Sequence, residues 1–278
     1  MPVISTNNAA NASLNYLNQN SAQESNQLAK LASGSRIVQA SDDAAGLAIG
    51  TQLQANVTVY QQDSTNVQQG TAILQTADGA LAQISNVLQR MMALATEAAS
   101  GQVTNAQRSQ DIQTEYTQLK SEISSIVNST TYAGKTLLSG SFLQNVKFLV
   151  GTQSTNTIAV TVSAVAAKTL LGTTASLTTA VSTSVNALKT ITNLNSAINT
   201  ITKDRAKIGA YESQFNFANQ DISTNIQNIT ASASVIMDAD VASVKAQLSA
   251  TDVKTQASVA ALTQASQLPT ELLRLIQS

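Results

Sequence analysis

The stretch that decides the fold is LQTADGALAQISNVLQRMMALATEAA, residues 74–99. Its apolar side chains recur at Leu74, Ala77, Leu81, Ile84, Leu88, Met91, Ala95 and Ala98. The steps alternate three and four, the period of a helix that lays one narrow stripe against a partner helix. Met91 and Met92 read as packing in that seam. A nearly continuous helix over 42–100 spans about 88 Å at 1.5 Å per residue, well beyond an ordinary globular helix. One seam cannot bury itself, so this text asks for helical partners elsewhere in the chain.

Downstream, Gly101 and Thr104 punctuate, and Ile112, Tyr116, Leu119, Ile123 and Ile126 repeat the same period. The short break predicts a helix that turns back antiparallel, as bundle helices do. Residues 128–140 read as loop. Val146, Phe148 and Val150 alternate, as do Ile158, Val160 and Val162, which predicts a hairpin around 151–156. Residues 172–179 are turn-like. A helix resumes near Ser182 with a predicted stripe of Val185, Leu188, Ile191, Leu194, Ile198 and Ile201. It runs on through Ile208, Tyr211, Phe215, Ala218, Ile222, Ile226, Ile229, Ala233 and Ile236, with Gly209 as a weak spot. Residues 241–268 stay helical but become small and polar, with Val244, Leu248, Ala257, Ala261 and Leu262 on the expected stripe. Pro269 is expected to stop this helix. Leu272, Leu273, Leu275 and Ile276 close the chain as an apolar cluster, useful if buried between subunits.

Upstream, Ser5-Thr6-Asn7 reads as a helix start. Leu14, Leu17, Leu28 and Leu31 follow, with Ser21 and Glu24 thinning the stripe, so this segment depends on partners. Gly34 closes it. Residues 32–41 read as a connector carrying Arg36 beside Ile37 and Val38. Ser41-Asp42-Asp43 opens the next helix, where carboxylates suit the positive dipole end. Adjacent residues on a helix face different ways, so Asp42 and Asp43 read as capping rather than as a metal or catalytic pair. Gly46 and Gly50, four apart, are expected to admit another backbone closely.

Composition narrows the function. Only 11% of the 278 residues are charged, against roughly 25% in typical soluble proteins. The net charge is -1, the apolar share 43%, and there are 4 Phe, 5 Tyr and no Trp. A compact globule of such residues has a weak core, and near-zero charge favours self-association. Without Cys or His, disulfides, thiol chemistry, Cys/His zinc sites and histidine acid–base work are excluded. No cofactor is expected. Scattered Lys and Arg argue against nucleic acid, and no stretch approaches 18 apolar residues, so no membrane partner is expected. Met1 to Ala12 lacks a positive n-region and an apolar h-region, so any export is expected to bypass a classical leader.

The residues 28–50, LAKLASGSRIVQASDDAAGLAIG, resemble the signature of bacterial flagellin. That ordering includes Leu28, Leu31, Arg36, Ile37, Asp42, Asp43, Gly46, Leu47 and Ile49. Further matches are YAGKTLLSG at 132–140, RAKIGA at 205–210, Met237-Asp238-Ala239-Asp240, and QASQLP at 264–269. The resemblance implies a mainly α fold: a long antiparallel bundle or coiled-coil rod made by the two halves of the chain, with a small β-hairpin region in the middle. It implies an inner terminal-helix pair (1–35 with 240–278), a surrounding bundle (36–140 with 180–239) and a β-rich insert at 141–179. The short insert is that of a minimal flagellin. Assembly contacts are expected at the signature residues and at Arg90, Leu94, Asp238, Asp240, Leu248, Leu272, Leu273, Leu275 and Ile276. Ser266, Val244 and Ser213-Gln214 depart from the family pattern. Arg90 and Leu94 match an outer patch read by an immune receptor in some members, whereas Met92 and Ala93 replace its charged pair.

The implied function is a structural subunit that self-polymerises into the swimming filament. Its implied partners are further copies, possibly related flagellins, an export chaperone, and hook-junction and cap proteins. Its implied place is outside the cell. A hook–filament junction protein, or another secreted coiled-coil structural or adhesive protein, is the alternative. An enzyme is the weakest option, since residues 141–180 hold Lys147 and Lys168 and no acid.

Overall fold

The computed structural model describes residues 7–139, 142–162 and 181–277; the side chains of 268 and 270–277 lie outside that description. The chain forms two compact units, one of 1–57 with 227–278 and one of 58–226. Their helices are α1 (Asn8–Ser33), α2 (Ala44–Ala99), the single turn α3 (Asn105–Gln107), α4 (Gln113–Ser129), α5 (Ser184–Met237) and α6 (Val241–Gln277). The fold is mainly helical, as the periodicity predicts.

In the unit of 58–226 the predicted seam is the core. Leu74, Ala77, Leu81, Ile84, Leu88, Met91, Ala95 and Ala98 are all buried. Three ties set α5 antiparallel to this part of α2. Ser184 Oγ donates to Ala99 O at 3.2 Å, Arg205 pairs with Asp78 at 2.8 Å, and Ser64 Oγ lies 3.0 Å from Asn219 Oδ1. Early α5 departs from expectation: Val185 and Leu188 are 64% and 58% exposed, while Ala187, Thr190, Leu194 and Ala197 are buried. Only the first two predicted positions fail: Leu194 and Ile201 are buried and Ile191 and Ile198 pack against the core, while the small residues Ala187 and Thr190 take the inner face in place of Val185 and Leu188.

At the end of α2 the chain turns as expected. Thr104 and Gln107 form a reciprocal capping box. A π-helical turn, Arg108–Ile112, then leads into α4. Buried Arg108 donates from Nε to Ala98 O at 2.6 Å and from Nη2 to Ser100 O at 2.5 Å. With Ser184 on Ala99 O, three terminal carbonyls of this region find partners that the helix cannot supply. Tyr116, Ile123 and Val127 bury the inner face of α4.

Residues 128–140, expected as loop, contain a tight hairpin of β1 (Thr131–Tyr132) and β2 (Lys135–Thr136). Its corner is Ala133 at φ 48° and Gly134 at φ 77°, the paired positive dihedrals of a two-residue turn whose twist suits a hairpin. Alanine at the first position hid the signal. The predicted larger hairpin is present as β3 (Val146–Leu149) and β4 (Thr157–Val160), in the register Val146 to Val160. It seats on α2 and α5 through Phe148, which meets Phe215 edge-on at 5.2 Å and 87°. Gly70 makes room: a Cβ there would lie 3.0 Å from the Phe215 ring and 3.2 Å from Phe148. Tyr211 Oη adds a 2.9 Å contact to Thr161 Oγ1. The turn expected at 172–179 lies outside the described residues.

In the other unit α1 and α6 pair antiparallel. The α1 face comprises Ala10, Ser13, Leu17, Asn20, Glu24, Gln27 and Leu31; the α6 face comprises Val244, Leu248, Thr251, Thr255, Ser258, Leu262 and Ala265. Both follow the three-four spacing, yet no α1 residue is fully buried. Ala257 and Ala261, expected on the stripe, are exposed, because Thr255 and Ser258 hold the seam positions. Pro269 does not stop α6; it lies inside the helix.

Candidate assembly interface

The unit that contains both chain ends is stitched at one place. Between α1 and α2 the connector begins at Gly34, whose φ of 68° is the left-handed value that ends a helix. It meets the break between α5 and α6. Arg36 N donates to Met237 O at 2.6 Å, and Ala239 N donates to Gly34 O at 2.9 Å. Ser35 Oγ contacts Met237 O at 3.0 Å and Ile37 O at 2.9 Å. Ser35 and Asp238 thus form an isolated antiparallel bridge. Ile37 is buried beneath it.

The two aspartates separate in role. Asp43 Oδ1 accepts from Gly46 N at 2.8 Å and caps α2. Asp42 instead reaches back, accepting from Val38 N at 3.1 Å and Gln39 N at 3.2 Å, with Lys30 Nζ at 3.9 Å. Those backbone donors, chiefly Val38, hold its carboxyl below the ordinary aspartate range, and Lys30 adds to them. The expectation that both cap the helix therefore holds for Asp43 alone. Across the break, Asp240 Oδ1 accepts from Ala242 N and Ser243 N at 3.0 and 3.2 Å and caps α6. Asp238 takes the Ser234 hydroxyl.

Gly46 and Gly50 do admit close neighbours, but these are side chains rather than another backbone. A Cβ on Gly46 would meet Asp43 and Ile37, and one on Gly50 would lie 2.3 Å from Met237 Sδ. Leu47 lines a shallow groove of about 390 Å³ with Ala40, Ala44, Ala48 and Ala55. Ile49 and Arg36 are exposed.

Leu31 and Leu248 are half-buried in the α1–α6 seam. Leu28, by contrast, is 56% exposed, and Leu14, Tyr16, Val253 and Val259 also face outward. The helix pair thus mixes polar groups into its seam beside Leu17, Leu31, Val244, Leu248 and Leu262, such as Asn20 on Ser258 at 2.9 Å and Thr255 on Glu24 at 3.1 Å, and leaves further large apolar groups outside. The side chains of Leu272, Leu273, Leu275 and Ile276 lie outside the described residues. Arg90 and Leu94 belong to the other unit and do not share a surface: Arg90 is exposed and pairs with Glu115 at 2.7 Å, while Leu94 is 2% exposed within the core. The sequence reading did not single out Ser35 and Met237 as site residues: Met237 acts through its backbone oxygen and a glycine notch, and Ser35 through a hydroxyl that no local pattern marks. Among the described residues no group of His, Cys, Asp and Glu is placed to hold a metal, and no helix is long and apolar enough to cross a membrane.

Two family models match this chain: the bacterial flagellin N-terminal helical region over residues 4–143 and the C-terminal helical region over 191–276. The chain belongs to the flagellin family. It is 32% identical over 302 residues to the flagellin of Bacillus subtilis (strain 168), covering 99% of each chain. The match to a flagellar filament 30.7 kDa core protein of Treponema maltophilum is 30% over 256 residues, covering 88% of this chain and 90% of that one. A hook-associated protein structure from Vibrio parahaemolyticus shares the fold at TM-score 0.60 and 15% identity, covering 70% of this flagellin and 99% of that chain.

Proposed function

We propose that this flagellin polymerises with further copies of itself into the flagellar filament that drives swimming. The observation that carries the reading is the α1–α6 pair: its half-polar seam covers only some of its large apolar side chains and leaves Leu14, Tyr16, Leu28, Val253 and Val259 outside. Fully covering each such side chain contributes roughly 1.5–3 kcal/mol, a gain that only neighbouring subunits offer. Contacts of that kind that do not close into rings propagate helically. The role is structural rather than catalytic.

Hook-junction and cap proteins bound the filament at its ends, a chaperone holds the C-terminal helix before export, and the assembled protein lies outside the cell. The family membership and the unsatisfied outer faces of α1 and α6 support this reading.

Electron microscopy of purified protein mixed with filament seeds tests it: tubes are expected, and their absence under assembling conditions overturns it. Hydrogen exchange gives a second measure. Amides of 8–33 and 241–277 exchange fast in monomer and slowly in filament; protection already in monomer contradicts the assembly-dependent pair.

A further inference from the structure

The α2–α5 seam can slide in steps of seven. One α5 column reads Leu194, Ile201, Ile208, Phe215 and Ile222, and the matching α2 column reads Val67, Leu74, Leu81, Leu88 and Ala95, all buried. A pair patterned in this way buries nearly the same surface after one helix moves by a heptad, about 10.5 Å. Apolar burial therefore leaves the register open. Yet the Ser64–Asn219, Asp78–Arg205 and Ala99–Ser184 ties report a single alignment.

The other column of each helix carries one acid. Asp63 precedes Gly70 and Ala77 at heptad spacing; Asp204 stands between Ala197 and Tyr211. Both acids are 1% exposed, and Oδ2 of each lacks a hydrogen-bond partner. Lys207 Nζ lies 3.3 Å from Asp204 Oδ1, but it sits one turn along the same helix and travels with it. Interpolating between the three ties places Asp204 across from Gly79, where Ala77 and Ala80 make the α2 face small. A slip of seven would replace Ala77, Ala80 and Leu81 around it with Ile84, Val87 and Leu88, or with Gly70, Ile73 and Leu74. Asp63 lies across from Gln220, between Ala218 and Ile222; a slip would set it between Tyr211 and Phe215 or between Asn225 and Ile229, so the first slip is opposed at Asp63 and the second at Asp204. A buried carboxylate is costly unless it is paired or reached by water, and small neighbours such as Ala80 and Ala218 leave room for that where Val87, Ile73, Tyr211 or Phe215 would not.

We propose that Asp63 and Asp204 are register pins, positioning residues whose buried carboxylates only the observed alignment of α2 and α5 accommodates. A polar group at a seam position is a known means of choosing one register among several. The proposal goes beyond the filament reading and is tested without it, in monomer. Since filament contacts must repeat identically, a subunit slipped by a heptad would displace every contact on α5 relative to α2.

The chain has no cysteine, so engineered pairs report alignment directly. Ser64→Cys with Asn219→Cys marks the observed register; Ser64→Cys with Glu212→Cys or Ile226→Cys marks the two slips. In the parent background only the first pair should close under mild oxidation. Adding Asp63→Leu and Asp204→Leu should raise closure of the slipped pairs at least tenfold, while Asp63→Asn and Asp204→Asn keep the parent pattern. Closure of the 64–219 pair alone in the leucine background overturns the proposal, as does slip in the asparagine background equal to that with leucine. If leucine prevents folding, alanine at both positions gives the same readout in a volume the seam already holds at Ala77 and Ala218. Observed-register closure alone then overturns it equally.

Discussion

Asn7 Nδ2 donates to the carbonyl oxygen of Ala265 at 2.7 Å, and Ala265 is the residue whose helical donor is missing. That donor would be the amide of residue 269, which is proline and has none. Oδ1 of the same Asn7 accepts from Ala10 N at 3.1 Å and caps α1. One side chain therefore satisfies the start of one terminal helix and the proline gap in the other. Asn7→Ser keeps a capping oxygen but cannot reach Ala265, and should destabilise the assembled helix pair by about 1 kcal/mol. Asn7→Ala loses both bonds, for about 2 kcal/mol. In a Pro269→Ala background the serine variant should cost little, since residue 269 then donates to Ala265 itself. Thermal depolymerisation of filaments over this double-mutant cycle measures the coupling; additive effects would refute it.

Arg108 carries the corresponding role in the bundle unit. The residue is 7% exposed, and its guanidinium serves Ala98 O, Ser100 O and, at 3.0 Å, Asn105 Oδ1. Arg108→Met keeps the stem but strands the carbonyls, at a cost of about 2–4 kcal/mol. Chemical denaturation of monomer should show a lower midpoint with an unchanged slope. A midpoint equal to the parent's would mean that water serves those carbonyls as well as arginine does.

What the residues disclosed in advance follows from how each signal is written. The α2 core was legible because Leu74 to Ala98 keep one spacing with few polar interruptions. The start of α5 was misread because Val185 and Leu188 outweighed Ala187 and Thr190, although spacing rather than size decides which face is inside. Pro269 was read as a stop because the compensating donor, Asn7, lies 258 residues away, beyond any local pattern. Of the candidate site, the capping role of Asp43 is local and was readable, whereas that of Asp240 was not singled out although it is equally local. The stitch between Gly34, Arg36, Met237 and Ala239 runs through backbone atoms, which side-chain identity does not announce, and only Ser35 adds a side-chain bond to it.

Tyr116 fills the core between α4 and its neighbours with its hydroxyl buried and unpartnered. Burial pushes its ionisation far above the ordinary tyrosine range. Removing the hydroxyl while keeping the ring should therefore stabilise: Tyr116→Phe is expected to gain about 1 kcal/mol. In a spectroscopic titration of monomer, one of the five tyrosines should remain protonated until the bundle unfolds in alkali, and the phenylalanine variant should lack that last step. Early titration of all five would place the hydroxyl in water.

Gly50 and Met237 form a notch and its filling, with Met237 Sδ 2.3 Å and Cγ 2.6 Å from where a Cβ would stand. Gly50→Ala gains helix propensity of about 1 kcal/mol but must displace a side chain whose backbone oxygen also anchors Arg36 N. Overpacking of this kind costs about 1–3 kcal/mol, so the variant should be neutral to destabilised in filament melting. Met237→Ala alone should destabilise by opening a void. The double variant should recover more than half of the loss predicted by adding the two, and strict additivity would show that the contact carries no strain.

Asp63 sets the sign of one pH effect. Desolvation raises its carboxyl above the ordinary aspartate value, opposed by a hydrogen bond from Asn66. A raised folded-state value means that the folded chain binds the proton more tightly than the unfolded chain. Stability contributed by this group is then full below the unfolded value, declines as pH rises through the window up to the folded value, and stays reduced above it. Glu212 is shifted in the same direction, by burial and then by Asp78, so its variant must be compared separately. Asp63→Asn should leave the bundle more stable than the parent at neutral pH and should flatten the pH dependence within that window, while Glu212→Gln leaves Asp63's part of the slope in place. Denaturant midpoints of monomer between mildly acidic and neutral pH measure this. A parent that gains stability as pH rises through the window, relative to Asp63→Asn, would show that the carboxylate is solvated or paired rather than buried in the seam.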